Sequence, residues 1–168
     1  MSEASQHCYL IALGSNMRHH SAGAPRLVVA AALNALAEQG LAVRAVSTVI
    51  ESAPLGPSAR RYANVCALVE TRHDPEELLA LAKDVERIFG RRSRGLRWGA
   101  RVLDIDLVLW GGGIWSSLDL TIPHPEFRSR GFVLGPAREI AGDWRDPISG
   151  LTVRQLDARL TRSRPVTR

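Results

Sequence analysis

Two aspartates one residue apart, Asp104 and Asp106, stand in the otherwise apolar run V-L-D-I-D-L-V-L-W from Val102 to Trp110. In an extended chain successive side chains alternate faces. Leu103, Ile105, Leu107 and Leu109 then form one apolar stripe, while Val102, Asp104, Asp106, Val108 and Trp110 share the opposite face. Two residues of strand rise set the aspartates roughly 6.6 Å apart at their backbones, near enough for both carboxylates to serve one hard cation or an adjacent pair. Arg91, Arg92, Arg94, Arg97 and Arg101 precede them directly. Guanidinium groups match phosphate oxygens in charge and in geometry, so ligands for a metal and cations for phosphate arrive on one short segment. A lone aspartate would read as a solvated strand face; this combination points to chemistry on a metal-bound nucleotide. The chain has no GxxxxGK[ST] loop, and its single lysine, Lys83, falls inside an expected helix, so any nucleotide is held by other means.

The elements that must position these residues follow from pattern and punctuation. The run from Cys8 alternates and stops at Gly14-Ser15-Asn16, as a strand entering a turn does. Pro25 opens a helix that Gly40 ends. Residues 41 to 52 are β-branched and read as one strand, and Tyr62 to Arg72 alternate as the next. Asp74 caps a helix with Pro75 at its first position, acids in its first turn and Gly90 at its end. The Asp-x-Asp strand follows, closed by Gly111-Gly112-Gly113. The order strand, helix, strand, strand, helix, strand predicts an α+β fold of ferredoxin-like type, βαββαβ, with two helices on one face of an antiparallel sheet and the other face free. Beyond residue 114 a hairpin, a helix from about Arg130 and another after Gly150 are expected.

A length of 168 residues with 45% hydrophobic content suits one domain with a full core. Its core is expected at about 8–157, with 158–168 a frayed basic tail. The net charge of +5 is no sign of nucleic-acid binding, because five arginines between residues 151 and 168 stand against Asp157 alone and the rest is nearly neutral. The start MSEASQH lacks a secretory pattern and no apolar run is long enough to span a bilayer, so a cytoplasmic protein that binds no membrane is expected. Cys8 and Cys66 lie in apolar runs without CxxC spacing, which reads as free thiols rather than a zinc site or a disulfide. His19 and His20 lack partners at ligand spacing and read as solvated.

The stretch from Arg97 to Val108 resembles the signature of the 6-hydroxymethyl-7,8-dihydropterin pyrophosphokinases, folate-pathway enzymes that move a pyrophosphoryl group from ATP to a pterin alcohol. ALGSN at 12–16, APLGP at 53–57, YANVCALVET at 62–71, TIPHPEFRSRGFVLGP at 121–136 and EIA at 139–141 look like further blocks of that family, in its order. The resemblance implies that Asp104 and Asp106 bind two Mg²⁺ ions bridging the ATP phosphates, and that Arg91 and Arg101 act on the transferring group. It further implies ATP contacts at Glu86, Arg91, Trp98, Arg101, Thr121, His124 and Arg130. For the pterin it implies two gripping rings, Tyr62 and Phe132, with Asn64, Ser52, Ala53 and Leu55 along the polar edge.

The sequence departs from the family pattern at Ser93, where an arginine is common, at Lys83, where glutamine is expected, and at Asp119, where a basic residue can assist the phosphates. The loop from Arg18 to Ala24 is longer than usual. Glycines at 90, 95 and 99 around a run of arginines suggest that Gly90 to Trp98 closes over bound nucleotide. Small-molecule substrates, no nucleic acid and a monomeric chain complete the expectation. The competing reading is a ferredoxin-like ligand- or RNA-binding module without catalysis; it leaves the aspartate pair unexplained, and the strand from Tyr62 carries only one aromatic for base stacking.

Overall fold

The computed structural model describes residues 6–53, 60–90 and 102–162. Its sheet is built from β1 (His7–Ser15), β2 (Ala42–Val46), β3 (Ile50–Ser52), β4 (Tyr62–Thr71) and β5 (Asp104–Trp110), with α1 (Pro25–Glu38) and α2 (Pro75–Ile88) between them. The strand order is β2-β4-β1-β5 with β3 also on β4, and every pairing is antiparallel. A two-stranded hairpin, β6 (Trp115–Ser116) and β7 (Thr121–Ile122), precedes a short 3₁₀ turn, Phe127–Ser129, and the helices α3 (Gly131–Ala141) and α4 (Val153–Thr161).

Local chemistry explains why these elements start where they do. Asp74 accepts from the Glu77 backbone N–H while Glu77 accepts from that of Asp74, each at 2.9 Å, a reciprocal cap on α2 with Pro75 just inside it. Thr152 and Gln155 build the same cap on α4. That helix runs to Thr161, so the first residues of the expected tail are helical; 163–168 lie outside the described residues.

Two apolar clusters sandwich the sheet. Tyr9, Ile11, Leu13, Val65, Ala67, Val69, Ile105 and Leu107 meet α1 and α2 on one face. On the other, Leu10, Cys66, Val108 and Leu109 pack against α3 and α4 through Val133, Leu134, Ala137 and Leu156. Leu10 and Leu134 are fully buried there, each contributing roughly 2 kcal/mol by removal from water. The second face is therefore not free, contrary to the pattern-based expectation. The cause is that C-terminal helices outside the βαββαβ pattern fold back over it.

Three other expectations are corrected. The single strand at 41–52 is two, broken where the Ser47 hydroxyl accepts from the Cys66 backbone N–H and the Thr48 N–H donates to Glu139 of α3. In β5 the register against β1 shifts between the pairs Leu10↔Leu109 and Ile11↔Leu107, a bulge that turns Leu109 to the α3 side and Trp110 to the α1–α2 side. His19 is only partly solvated: its ring packs 5.3 Å from that of Phe89, and its Nδ1 accepts from the Ala22 N–H at 3.1 Å.

The loop between α3 and α4 is tied down by a buried ion pair. Asp146 has no exposed side chain and receives Arg128 Nε at 2.6 Å and Nη2 at 2.7 Å, the Ser149 hydroxyl at 2.6 Å and the Ile148 N–H at 3.1 Å. Burial alone would raise the Asp146 carboxyl; the bonds from Arg128, Ser149 and Ile148 outweigh it and hold the pKa down at about 2. Because this value lies below the unfolded one, the pair stabilises the fold above about pH 4, and the benefit is lost as pH falls through 4 toward 2. Asp146→Asn is expected to lower unfolding free energy at pH 7 by on the order of 2 kcal/mol, with the gap from wild type closing in acid. Thermal melts from pH 7 to pH 2 check both.

Candidate active site

The pairing register assembles the sequence-predicted residues in rows across the second sheet face. Gly14 of β1 is opposite Asp104 on one side and Asn64 on the other, and Ala12 is likewise between Asp106 and Cys66. Asp104 and Asn64 thus flank one glycine. A Cβ on Gly14 would come within 3.3 Å of Asn64 Oδ1 and 3.7 Å of the Tyr62 ring, so the glycine keeps the floor between them clear. Tyr62 lies two residues before Asn64, on the same face and in register with Ser52. The Asn64 amide nitrogen donates to the Ser52 hydroxyl at 2.7 Å, which orients its carbonyl oxygen toward the Gly14 floor.

The segment after β7 supplies the cationic side. His124 is anchored on β5 by its backbone N–H, which donates to Val108 O at 3.0 Å. Its Nδ1 accepts from the Glu126 N–H at 3.2 Å, leaving Nε2 as the protonated nitrogen, 3.8 Å from Asp106. Arg130 places Nη1 3.5 Å from the same carboxylate, bonds Glu126 through Nη2, and lies over the Phe132 ring at 5.7 Å. Burial lowers the His124 pKa; Asp106 opposes this and Arg130 adds to it.

A cleft of about 330 Å³ opens beside Asp106 at the outer edge of β5. Leu79, Ile105, Leu107 and Leu120 form its apolar wall, and Asp106, His124 and Thr121 its polar end, with Asp119 also lining it. An apolar slot ending in a carboxylate, an imidazole and a nearby guanidinium can take a flat base at one end and phosphates at the other. Glu86 is buried on α2 and accepts at 2.8 Å from the N–H of Ile105, which lines this cleft. Ala53 is exposed at the end of β3. Leu55, Arg91, Trp98 and Arg101 lie outside the described residues, as does the expected closing segment from residue 91 onward.

Some of the site was not singled out from sequence. Gly14 was visible as a glycine inside a strand, which signals close approach of another group. The apolar wall gave no signal, because Leu79, Leu107 and Leu120 look like ordinary core positions. Asn16, directly after β1, is 3% exposed, and among the described residues neither end of its amide finds a partner.

The family model for 7,8-dihydro-6-hydroxymethylpterin-pyrophosphokinase (HPPK) matches residues 10–142. The chain belongs to this family. A 2-amino-4-hydroxy-6-hydroxymethyldihydropteridine pyrophosphokinase of Synechocystis is 42% identical over 117 residues, 70% of this chain and 60% of that one. The same-named protein of Pseudomonas aeruginosa is 39% identical over 141 residues, 82% of each. Among solved structures, Plasmodium falciparum HPPK-DHPS A437G aligns with a TM-score of 0.64 at 13% identity, over 92% of this chain and 43% of that one, which shows a shared fold. The HPPK match includes every row described above, from Gly14 to Phe132.

The electrostatics around His124 make a direct expectation. Its imidazole should titrate below the ordinary histidine range; Asp106→Asn should lower the midpoint further, and Arg130→Ala should raise it. NMR titration of the His124 ring protons checks all three, and a midpoint unmoved by either substitution would contradict the geometry.

Proposed function

We propose that this chain transfers the terminal pyrophosphoryl group of ATP to the hydroxymethyl oxygen of 6-hydroxymethyl-7,8-dihydropterin, releasing AMP. The observation that carries the reading is the row Asp104–Gly14–Asn64, which brings a carboxylate and a pterin-type amide to either side of one clear floor. In the transfer, the hydroxymethyl oxygen forms a bond to the β-phosphorus, the bond from that phosphorus to the α,β-bridging oxygen breaks, and the hydroxyl proton passes to solvent. Catalysis of this kind is positioning and charge neutralisation.

Asp104 and Asp106 are the residues that would hold Mg²⁺. They are oxygen donors on one strand face, and among the described residues no group of three or more acidic, histidine or cysteine side chains is placed to hold an ion. This suits an ion that keeps waters and phosphates as its other partners. Two such ions would neutralise the triphosphate and orient the β-phosphorus. Arg130 and His124, both beside Asp106, meet the phosphates from the other side, with Arg91 and Arg101 as further cations. The nucleoside occupies the apolar cleft past Thr121. Tyr62 and Phe132 grip the pterin, Asn64 and Ser52 bond its polar edge, and the backbone at Ala53 and Leu55 completes that edge.

The strand order β2-β4-β1-β5, with α1 and α2 as the crossover connections, supports a ferredoxin-like core. The chain acts as a monomer in the cytoplasm on this reading; no described helix is long and apolar enough to cross a membrane.

Incubation with Mg²⁺, ATP and the pterin alcohol should yield AMP and pterin pyrophosphate in equal amounts; ADP as the nucleotide product would contradict the assignment. Asp104→Asn and Asp106→Asn should each cut turnover by about two orders of magnitude or more while leaving the melting temperature within a few degrees of wild type. Full turnover in either variant would remove the aspartates from the mechanism.

A further inference from the structure

We propose that the tip of the β6–β7 hairpin selects the sugar of the bound nucleotide: the Asp119 carboxylate accepts hydrogen bonds from the ribose 2′ and 3′ hydroxyls, and Leu118 beside it packs on the nucleoside. This rests on the reading of the cleft beside Asp106 as the nucleotide site.

Both tip residues line the cleft and neither is used by the fold. Leu118 is 99% exposed, although it stands at the rim of a cleft walled by Leu79, Leu107 and Leu120. A leucine left wholly in water there gains only when a ligand fills the cleft and covers it. Asp119 is exposed on the same rim, and among the described residues its carboxylate has no hydrogen-bond or ion-pair partner. The stalk below them is fixed. Trp115 and Ser116 pair with Ile122 and Thr121, the Ser117 N–H donates to Leu120 O at 2.8 Å, and the Leu120 N–H donates to the Ser117 hydroxyl at 3.1 Å. The Trp115 indole N–H donates to Glu76 of α2 at 3.1 Å, which docks the hairpin on that helix. Leu118 and Asp119 are therefore carried at a set place, and little order has to be gained when a ligand arrives.

Charge decides which part of the nucleotide Asp119 meets. The phosphates belong at the end where His124 and Arg130 approach Asp106. A carboxylate without a cation repels phosphate, so Asp119 faces the nucleoside. The flat faces of the base suit the leucine wall, and the sugar, between base and phosphates, meets the polar rim. Its two adjacent hydroxyls are donors that the two oxygens of one carboxylate can accept together, in charge-assisted bonds. An acidic side chain plays this part toward ribose in dinucleotide-binding folds as well. The contact is this chain's own, because a basic residue, which the family pattern allows at this position, would serve the phosphates instead.

Calorimetric titration of the full chain with Mg²⁺ and nucleotide, in the absence of the pterin, tests this without turnover. Wild type should bind 2′,3′-dideoxyATP about tenfold more weakly than ATP. Asp119→Ala should weaken ATP about tenfold and change dideoxyATP by no more than about twofold, so that the sugar preference vanishes. Leu118→Ser should weaken both nucleotides alike, by about fivefold. Equal binding of the two nucleotides by wild type would overturn the proposal, and so would an Asp119→Ala variant that keeps the preference. Tighter ATP binding by Asp119→Ala would also overturn it, since Asp119 would then only repel phosphate. So would a variant that keeps the sugar preference but no longer distinguishes ATP from ITP, which would assign the carboxylate to the amino group of the base. No binding of ATP by wild type would overturn the nucleotide reading itself, and the proposal with it.

Discussion

One strand has to satisfy two opposed demands. Toward α1 and α2, β5 must bury Ile105 and Leu107 in the core; away from them it must present two like charges two residues apart. It does so at the end of the strand order, with β1 as its neighbouring strand among the described residues. Much of the surrounding structure offsets that arrangement. A bond to Glu86 holds the Ile105 amide, the His124 backbone bond to Val108 pins the end of the strand, and Arg130 with His124 brings hydrogen-bond donors against Asp106.

The same strand also joins the two halves of the site. Its outer edge forms a wall of the cleft beside Asp106, and its second face continues across Gly14 to Asn64 and Tyr62. On the proposed function, a pterin over β4 and a nucleotide beside β5 would meet above the aspartates. Helices α3 and α4 close the second face from Leu10 and Cys66 onward, which confines the polar groups to one end of the sheet. The Arg128–Asp146 pair fastens the 3₁₀ turn that leads from His124 to Arg130, so the cationic side inherits its position from a buried contact.

Where the sequence could be read, the determinants were local. The cap formed by Asp74 and Glu77, the proline-opened helices and the alternation of β5 as far as Leu107 all depend on neighbours within a few residues, and the element order followed from them. What escaped was decided by distant partners. The bulge that exchanges Leu109 and Trp110 has no period-two signal, because Val108 and Leu109 are both apolar. The break between β2 and β3 depends on Cys66 and Glu139, and the cover on the second face depends on α3. Asp104, Asp106, Asn64 and His124 were recognisable from motif blocks, but that a single glycine separates Asp104 from Asn64 is visible only in the register. Glu86 carried no signal of its bond to Ile105, since that group is a backbone amide.

On the proposed function, the aspartates of β5 assemble metal and nucleotide together. Electron paramagnetic resonance of Mn²⁺, titrated into the full chain with a non-hydrolysable ATP analogue and the pterin alcohol, tests it without depending on turnover. Two bound Mn²⁺ per chain are expected, with loss of both in the double variant Asp104→Asn and Asp106→Asn. An unchanged count in that variant, beyond what the analogue alone binds, would contradict it.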